Sequence, residues 1–254
     1  MEYFVHEDSI VRKIWGKGDT VLFIFAGSAA EFALNKAVDW LYFTGKLPAD
    51  PLGRLFSTVT YARQIVFAEM DAANRTIDKI ASIHSGVEKS RGAQIPDWAY
   101  RDVLYMLIHY SIASFELMER KLSDAEKDDV YDVFYRMGTR MNLKKLPVNY
   151  KLWQVSRKEH LIQDLHRGNY TDDLYKQYRK HLGLTRYKIL IEGQILVVPQ
   201  EVKELLNFKS YSLLTPLLII YKLSRKIKAN WIIKSMILPR EYKQQIKELD
   251  IVPS

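Results

Sequence analysis

The 254-residue sequence has no cysteine and only a little glycine and proline. Without cysteine there is no disulfide, thiolate metal centre, iron–sulfur cluster or cysteine nucleophile. Glycine occurs 11 times and proline 8 times, whereas β-sandwiches and barrels need many turn residues. We therefore predict an all-α protein, folded as a single helical domain over residues 1–254.

Long uncharged apolar runs are also missing. Glu31, Lys36 and Asp39 interrupt the most apolar region, residues 21–43, so no uncharged stretch reaches the roughly 18–20 residues that span a membrane. This region is predicted to be a buried core helix. The first eight residues lack the pattern of a secretory signal, and we expect a cytoplasmic protein that is at most peripheral to a membrane.

Basic residues exceed acidic residues by 8, and the excess concentrates near the end of the sequence. Residues 222–240 contain six basic and no acidic side chains, interleaved with Trp231 and aliphatic residues. Such a segment is typical of a solvated helix face, of a helix on an anionic membrane, or of a nucleic-acid-binding surface. We expect a solvated face before a membrane contact, and no nucleic-acid partner.

Apolar periodicity predicts helices along most of the chain and no sheet. Ser123 and Glu126 form the pattern of a capping box. Residues 21–42 are predicted to form one helix or two, with Gly27-Ser28 as a possible break. Residues 189–198 alone have some strand character, although an extended segment or an irregular helix fits equally well. The predicted helices span residues 9–16, 21–42, 52–70, 72–88, 100–120, 123–140, 151–167, 171–182, 201–208, 211–227 and 229–238.

In a chain without cysteine, the six histidines are the candidate metal ligands. None has a glutamate three residues before it, which excludes the di-iron arrangement of helical bundles. No two histidines are spaced i, i+4, so the zincin motif is absent as well. The polar and charged neighbours of His6, His160, His166 and His181 predict exposed surface histidines.

The other two histidines lie in apolar surroundings. His84 shares one helix face with Ile77, Ile80 and Val87, and an imidazole on an inward face must be hydrogen-bonded or bind a ligand. Both alternatives stay open for it. His109 lies in a helix that is apolar on nearly every face, so its imidazole is predicted to be buried too.

Arg54 and Thr58 are spaced i, i+4 and therefore project from the same side of a helix. Arg54 has two interpretations: a surface or capping arginine, or a clamp for the carboxylate of a cofactor or an acidic substrate. The sequence contains neither a glycine-rich phosphate loop after a strand nor a Gly-x-Ser-x-Gly elbow, so nucleotide-binding and hydrolase folds have little support.

Several short motifs occur in an order that resembles one known family. They are GD at 18–19, DPLGRLFST at 50–58, IASIHSGV at 80–87, LIHYS at 107–111 and LP at 146–147. Over residues 9–160 the chain is similar to the DUF2236 family. That family contains the latex-clearing rubber oxygenases and the endoplasmic-reticulum-bound oxygenase of mycophenolic acid biosynthesis.

The resemblance implies an all-α, globin-like protein with a haem b cofactor. His84 matches the family histidine that ligates the haem iron on the proximal side. Arg54 and Thr58 match the Arg-x-x-x-Thr pair next to the haem, which makes them candidates for both cofactor binding and catalysis. Ser57 stands where a rubber oxygenase has a lysine that can close the sixth iron position, so a lysine-capped iron is not expected.

Three further residues are candidates through the same resemblance. His109 and Ser111 fall in the family element Trp-Val-His-x-Thr, in which Leu107 here replaces the tryptophan. The resemblance makes His109 a candidate catalytic residue and Ser111 a candidate cofactor-binding residue. Asp39 lies where a distal catalytic acid is expected.

The implied activity is that of a haem b-dependent oxygenase that uses dioxygen on a small apolar substrate, such as one with a carbon–carbon double bond. A second hypothesis comes from a different class of protein. It is a non-catalytic helical protein that binds lipid or haem, with residues 222–240 at a membrane surface.

Overall fold

The computed structural model describes residues 2–226 and residue 249. Within these residues the protein is helical and has no β-strand, which confirms the predicted all-α fold. The predicted helix over residues 229–238 lies outside the described part. The helices are α1 (Ile10–Trp15), α2 (Gly18–Leu34), α3 (Val38–Phe43), α4 (Lys46–Ala49), α5 (Pro51–Phe67), α6 (Met70–Arg91), α7 (Asp97–Met118), α8 (Asp124–Arg140), α9 (Tyr150–Gln163), α10 (Asn169–Val197), α11 (Gln200–Leu206) and α12 (Thr215–Lys226).

Helix α2 lies in the core, packed against α7 and α10, and most of its residues are buried. It runs unbroken through Gly27, so the predicted break at this residue is wrong. A Cβ atom on Gly27 would lie 2.2 Å from the ring of Tyr110 on α7. The glycine is therefore needed for the close approach of the two helices.

The predicted helix over residues 21–42 divides at Asn35, which is extended and separates α2 from α3. The side chain of this buried residue makes two hydrogen bonds: its Oδ1 accepts from the backbone of Ala37 at 2.8 Å, and its Nδ2 donates to Asp102 at 2.6 Å. A single isolated bridge also pairs Asn35 with Leu165. These contacts redirect the chain without a glycine or proline.

Two other expectations about helices are settled by the structure. The capping box at Ser123 and Glu126 is present and begins α8. Residues 189–197 belong to α10, so the strand-like segment is helical. Gly183 interrupts α10 with φ of 69°, a left-handed conformation that favours glycine, and marks a kink one residue after the predicted end at residue 182.

Helices α5 and α6 form the hairpin that presents the predicted site. Asp50 caps α5 by accepting a hydrogen bond from the backbone of Gly53 at 2.9 Å. Only residues 68–69 separate the two helices, which therefore run back along each other and pack together. Among the residues described, every helix is too short or too polar to traverse a bilayer.

Candidate active site

His84 lies on α6, on the side that faces the neighbouring helices. Its residue is half-buried, and its Nδ1 atom is fully buried without a hydrogen-bond partner in the described part of the chain. The ring of Tyr100 on α7 meets the imidazole edge-on, with centroids 5.2 Å apart. An unsatisfied buried nitrogen is unusual in a folded protein and is consistent with a ligand-binding role.

The surroundings of His84 favour the uncharged imidazole. Burial lowers the pKa of His84, and the nearby guanidinium of Arg54 lowers it further, against a smaller opposite effect of Glu88. The ring is therefore neutral at physiological pH. Neutral imidazole is the form that binds a metal ion.

Arg54 lies in the first turn of α5, close enough to His84 for its charge to act there. Its Nη1 donates hydrogen bonds to the hydroxyls of Ser57 at 3.1 Å and Thr58 at 2.9 Å. No carboxylate within the described ranges pairs with this guanidinium, and burial lowers its pKa. A half-buried arginine without an anionic partner can bind the carboxylate of a ligand.

Asp39, on α3, contacts the C-terminal end of α6. It forms an ion pair of 2.7 Å with Arg91, whose guanidinium also stacks 4.0 Å from the ring centroid of Trp40. Arg91 follows His84 by seven residues, which is nearly two turns and about 10 Å along the helix. The carboxylate is thus held by an arginine, and its role as a distal acid stays a prediction.

His109 and Ser111 lie away from His84, further along α7 than Tyr100. His109 is nine residues beyond Tyr100, so it projects from the opposite side of α7, about 14 Å further along the axis. Its Nε2 is buried without a partner among the described residues, and burial together with the charge of Arg157 lowers the pKa of His109 to about 3. Ser111 is buried and accepts a hydrogen bond from Trp15 at 3.2 Å.

The predicted residues therefore separate into two regions. Arg54 and Thr58 on α5 lie near His84 on α6, and Asp39 on α3 is paired with Arg91 at the C-terminal end of α6. His109 is in a different part of α7, next to a buried network of charged side chains that the sequence did not predict.

The centre of this network is Glu31 on α2, which is only 1% exposed. Both of its carboxylate oxygens accept hydrogen bonds from Arg157 on α9, and Oε2 accepts a third from the Tyr110 hydroxyl at 2.8 Å. A glutamate within the apolar stretch of residues 21–34 is the signal that could have indicated a buried ion pair.

A second polar cluster joins α7 to the end of α9. His160 contacts Asp102 and Asp164 with the same ring nitrogen, so its prediction as a surface histidine is wrong. His6, His166 and His181 are exposed, as predicted. The i, i+4 spacing of His160 and Asp164 was visible in the sequence, whereas Asp102 is remote along the chain and only the fold brings it near.

A family model described as "ER-bound oxygenase mpaB/B'/Rubber oxygenase, catalytic domain" matches residues 14–186. This match covers more than half of the chain and includes α2 to α9, so the protein belongs to this family and is an oxygenase, a class of oxidoreductase. It also confirms the resemblance to the DUF2236 family. No curated protein and no solved structure shows significant similarity to the chain.

Proposed function

We propose that this oxygenase binds haem b through His84 and oxidises a small apolar substrate with dioxygen. One observation carries the proposal. The half-buried, neutral imidazole of His84 has a buried Nδ1 with no hydrogen-bond partner in the described part of the chain, and it lies beside the Arg54 guanidinium, which has no carboxylate partner there either.

These residues fit the two chemically distinct parts of a haem. The imidazole of His84 would bind the iron, and its lowered pKa keeps the ring unprotonated for that purpose. The guanidinium of Arg54 would bind a propionate, because the hydroxyls of Ser57 and Thr58 hold its Nη1 in place. When bound, the haem supplies the redox chemistry by which dioxygen is activated.

Two further residues of the α5–α6 hairpin would control the access of dioxygen and substrate to the haem. Ser57 has no amine, and its hydroxyl is engaged with the Arg54 backbone at 2.8 Å and with the Arg54 side chain, so this position would not supply a lysine-type ligand to the iron. Phe56 packs edge-on against Phe25 with ring centroids 5.8 Å apart. Apolar walls of this kind exclude water and favour an apolar substrate.

An absorption spectrum of the purified full-length protein, supplied with haem, tests the proposal. We expect a Soret band that shifts when the protein is reduced with dithionite and exposed to carbon monoxide, because haem held by a histidine would bind carbon monoxide in its reduced state. A colourless protein that does not bind added haem would contradict the proposal. If lipid co-purified with that colourless protein, the non-catalytic hypothesis would be favoured.

We also propose a peripheral membrane contact through α12. Four of its apolar residues are 55–62% exposed, which is unusual for a helix on a water-soluble surface. Of the basic residues in 222–240, Arg225 forms ion pairs with Glu119 and Asp19 and so holds α12 against the protein. Residues 227–240 lie outside the described part. The exposed apolar residues are Leu217, Ile219, Ile220 and Leu223.

Flotation with vesicles rich in phosphatidylserine tests this contact. The double variant Leu217→Ser/Ile220→Ser should float less than the wild-type protein, because it removes apolar area that would enter the membrane interface. Leu152→Ser/Val155→Ser is the matched control, since this pair is also exposed but lies on α9. Equal flotation of all three proteins would contradict a contact through α12.

A further inference from the structure

The cluster of Asp102, His160 and Asp164 has the geometry of a metal site. His160 and Asp164 are four residues apart, so they project from one side of α9 and its C-cap, with Nδ1 and Oδ2 separated by 3.2 Å. Asp102 reaches the same nitrogen from α7. One ligand atom from each residue lies within 4.8 Å of the other two. Ligands about 2.1 Å from a tetrahedral cation are about 3.4 Å apart, so a small movement would complete the site.

The charge balance of the cluster also favours a cation. The side chains of Asp102, His160 and Asp164 are 3%, 12% and 14% exposed, and two carboxylates in such surroundings need compensation. The ammonium of nearby Lys36 donates its hydrogen bond to the carbonyl of Gln163, and no contact of hydrogen-bond length joins it to either carboxylate within the described residues.

Arg101 and Arg157 also form their hydrogen bonds with residues outside the cluster. Arg101 binds Asp97 and donates to the carbonyl of Lys144 at 2.8 Å, while Arg157 is held by Glu31. With a neutral imidazole the cluster carries two negative charges. A divalent cation would offset both.

The surrounding residues hold the candidate ligands in position. The amide of Asn35 donates to Oδ2 of Asp102 at 2.6 Å, which leaves Oδ1 directed at His160. The ring of Tyr105 packs edge-on against the imidazole with centroids 5.1 Å apart. Support of this kind is typical of residues around a metal centre, where it fixes the orientation of the ligands.

We propose that Asp102, His160 and Asp164 bind one divalent cation with the chemistry of Zn²⁺ or Mn²⁺. Two carboxylate oxygens and one imidazole nitrogen suit these ions, and the partial exposure of His160 and Asp164 leaves room for water ligands and for entry. This site is distinct from His84. It joins α7 and α9 near the α2–α3 junction, and a bound cation would stabilise that junction.

Calorimetric titration of the chelator-treated, full-length protein with Zn²⁺, and separately with Mn²⁺, tests the site. We expect saturable binding of about one equivalent and a higher melting temperature in the metal-loaded protein, because binding to the folded state stabilises it. Asp164→Asn should abolish this binding. The exposed residues Asp172 and His181 provide matched controls, and Asp172→Asn and His181→Gln should bind as the wild-type protein does.

Two results would overturn the proposal. If the wild-type protein shows no saturable binding of either ion, the cluster is only a hydrogen-bonded group of one imidazole and two carboxylates. If Asp164→Asn is folded by circular dichroism and binds with unchanged affinity, the metal lies elsewhere. If Asp164→Asn does not fold, Asp102→Asn and His160→Gln take its place, and wild-type affinity in either folded variant would likewise show that the metal lies elsewhere.

Discussion

Replacing His109 with glutamine should make the protein less sensitive to acid. In the folded protein, burial and the charge of Arg157 lower the pKa of His109 to about 3, so the ring stays neutral. In the unfolded chain the imidazole has its ordinary pKa of about 6.5. Below pH 6.5 the unfolded state therefore binds a proton that the folded state excludes, and stability falls with pH until the folded state is also protonated near pH 3.

The size of the effect follows from the two pKa values. Each pH unit between 6.5 and 3 lowers the free energy of unfolding by about 1.4 kcal/mol, because one additional proton binds to the unfolded chain. At pH 5 the loss through His109 alone is about 2 kcal/mol relative to pH 8. In a protein of this length, that corresponds to a decrease in melting temperature of about 4–8 °C.

Urea denaturation at pH 8 and pH 5 measures this effect. The quantity of interest is the change in unfolding free energy between the two pH values, since it cancels the cost of the substitution itself. We expect this change to be about 2 kcal/mol smaller in His109→Gln than in the wild-type protein. His181→Gln, at an exposed position, should keep the wild-type change. If His109→Gln and the wild-type protein lose the same stability on acidification, His109 is not a buried neutral histidine.

Two further substitutions test the packing of the core. Arg157→Met should lower the free energy of unfolding by about 3–5 kcal/mol because it leaves the carboxylate of Glu31 buried without its cation, and adding Glu31→Gln should recover part of that loss in urea denaturation. Equal stability of the single and double variants would contradict this explanation. Gly27→Ala should cost about 1–3 kcal/mol, because its Cβ would overlap the Tyr110 ring. Gly86→Ala is its control, with no atom within 4 Å of the added carbon, and should leave the melting temperature unchanged or slightly raised.

Sequence patterns predicted the helices well where the determinants are local. The capping box at Ser123 and Glu126 needs only four residues, and the structure contains it. The break at Asn35 was not predicted because its hydrogen-bond partner is Asp102, which is 67 residues away. Gly27 was misinterpreted for the same reason: only the position of Tyr110 explains the glycine.

The candidate site shows the same division between local and remote information. Arg54, Thr58 and His84 lie in short motifs with recognisable spacing, and the helical hairpin brings them together. His160 was misjudged because its charged neighbours in sequence suggested a solvated surface. Its environment depends instead on Asp102 from a different helix, which no periodicity in α9 could indicate.

The absorption spectrum of His84→Ala tests the central claim most directly. The variant and the wild-type protein would be purified, supplied with equal amounts of haem and compared with His109→Gln, whose altered residue lies on α7, on the side opposite Tyr100. We expect the Soret band to be lost or strongly weakened in His84→Ala and retained in His109→Gln, because only His84 lies beside Arg54 as a neutral ligand. A His84→Ala protein with the wild-type Soret band would show that another residue holds the haem.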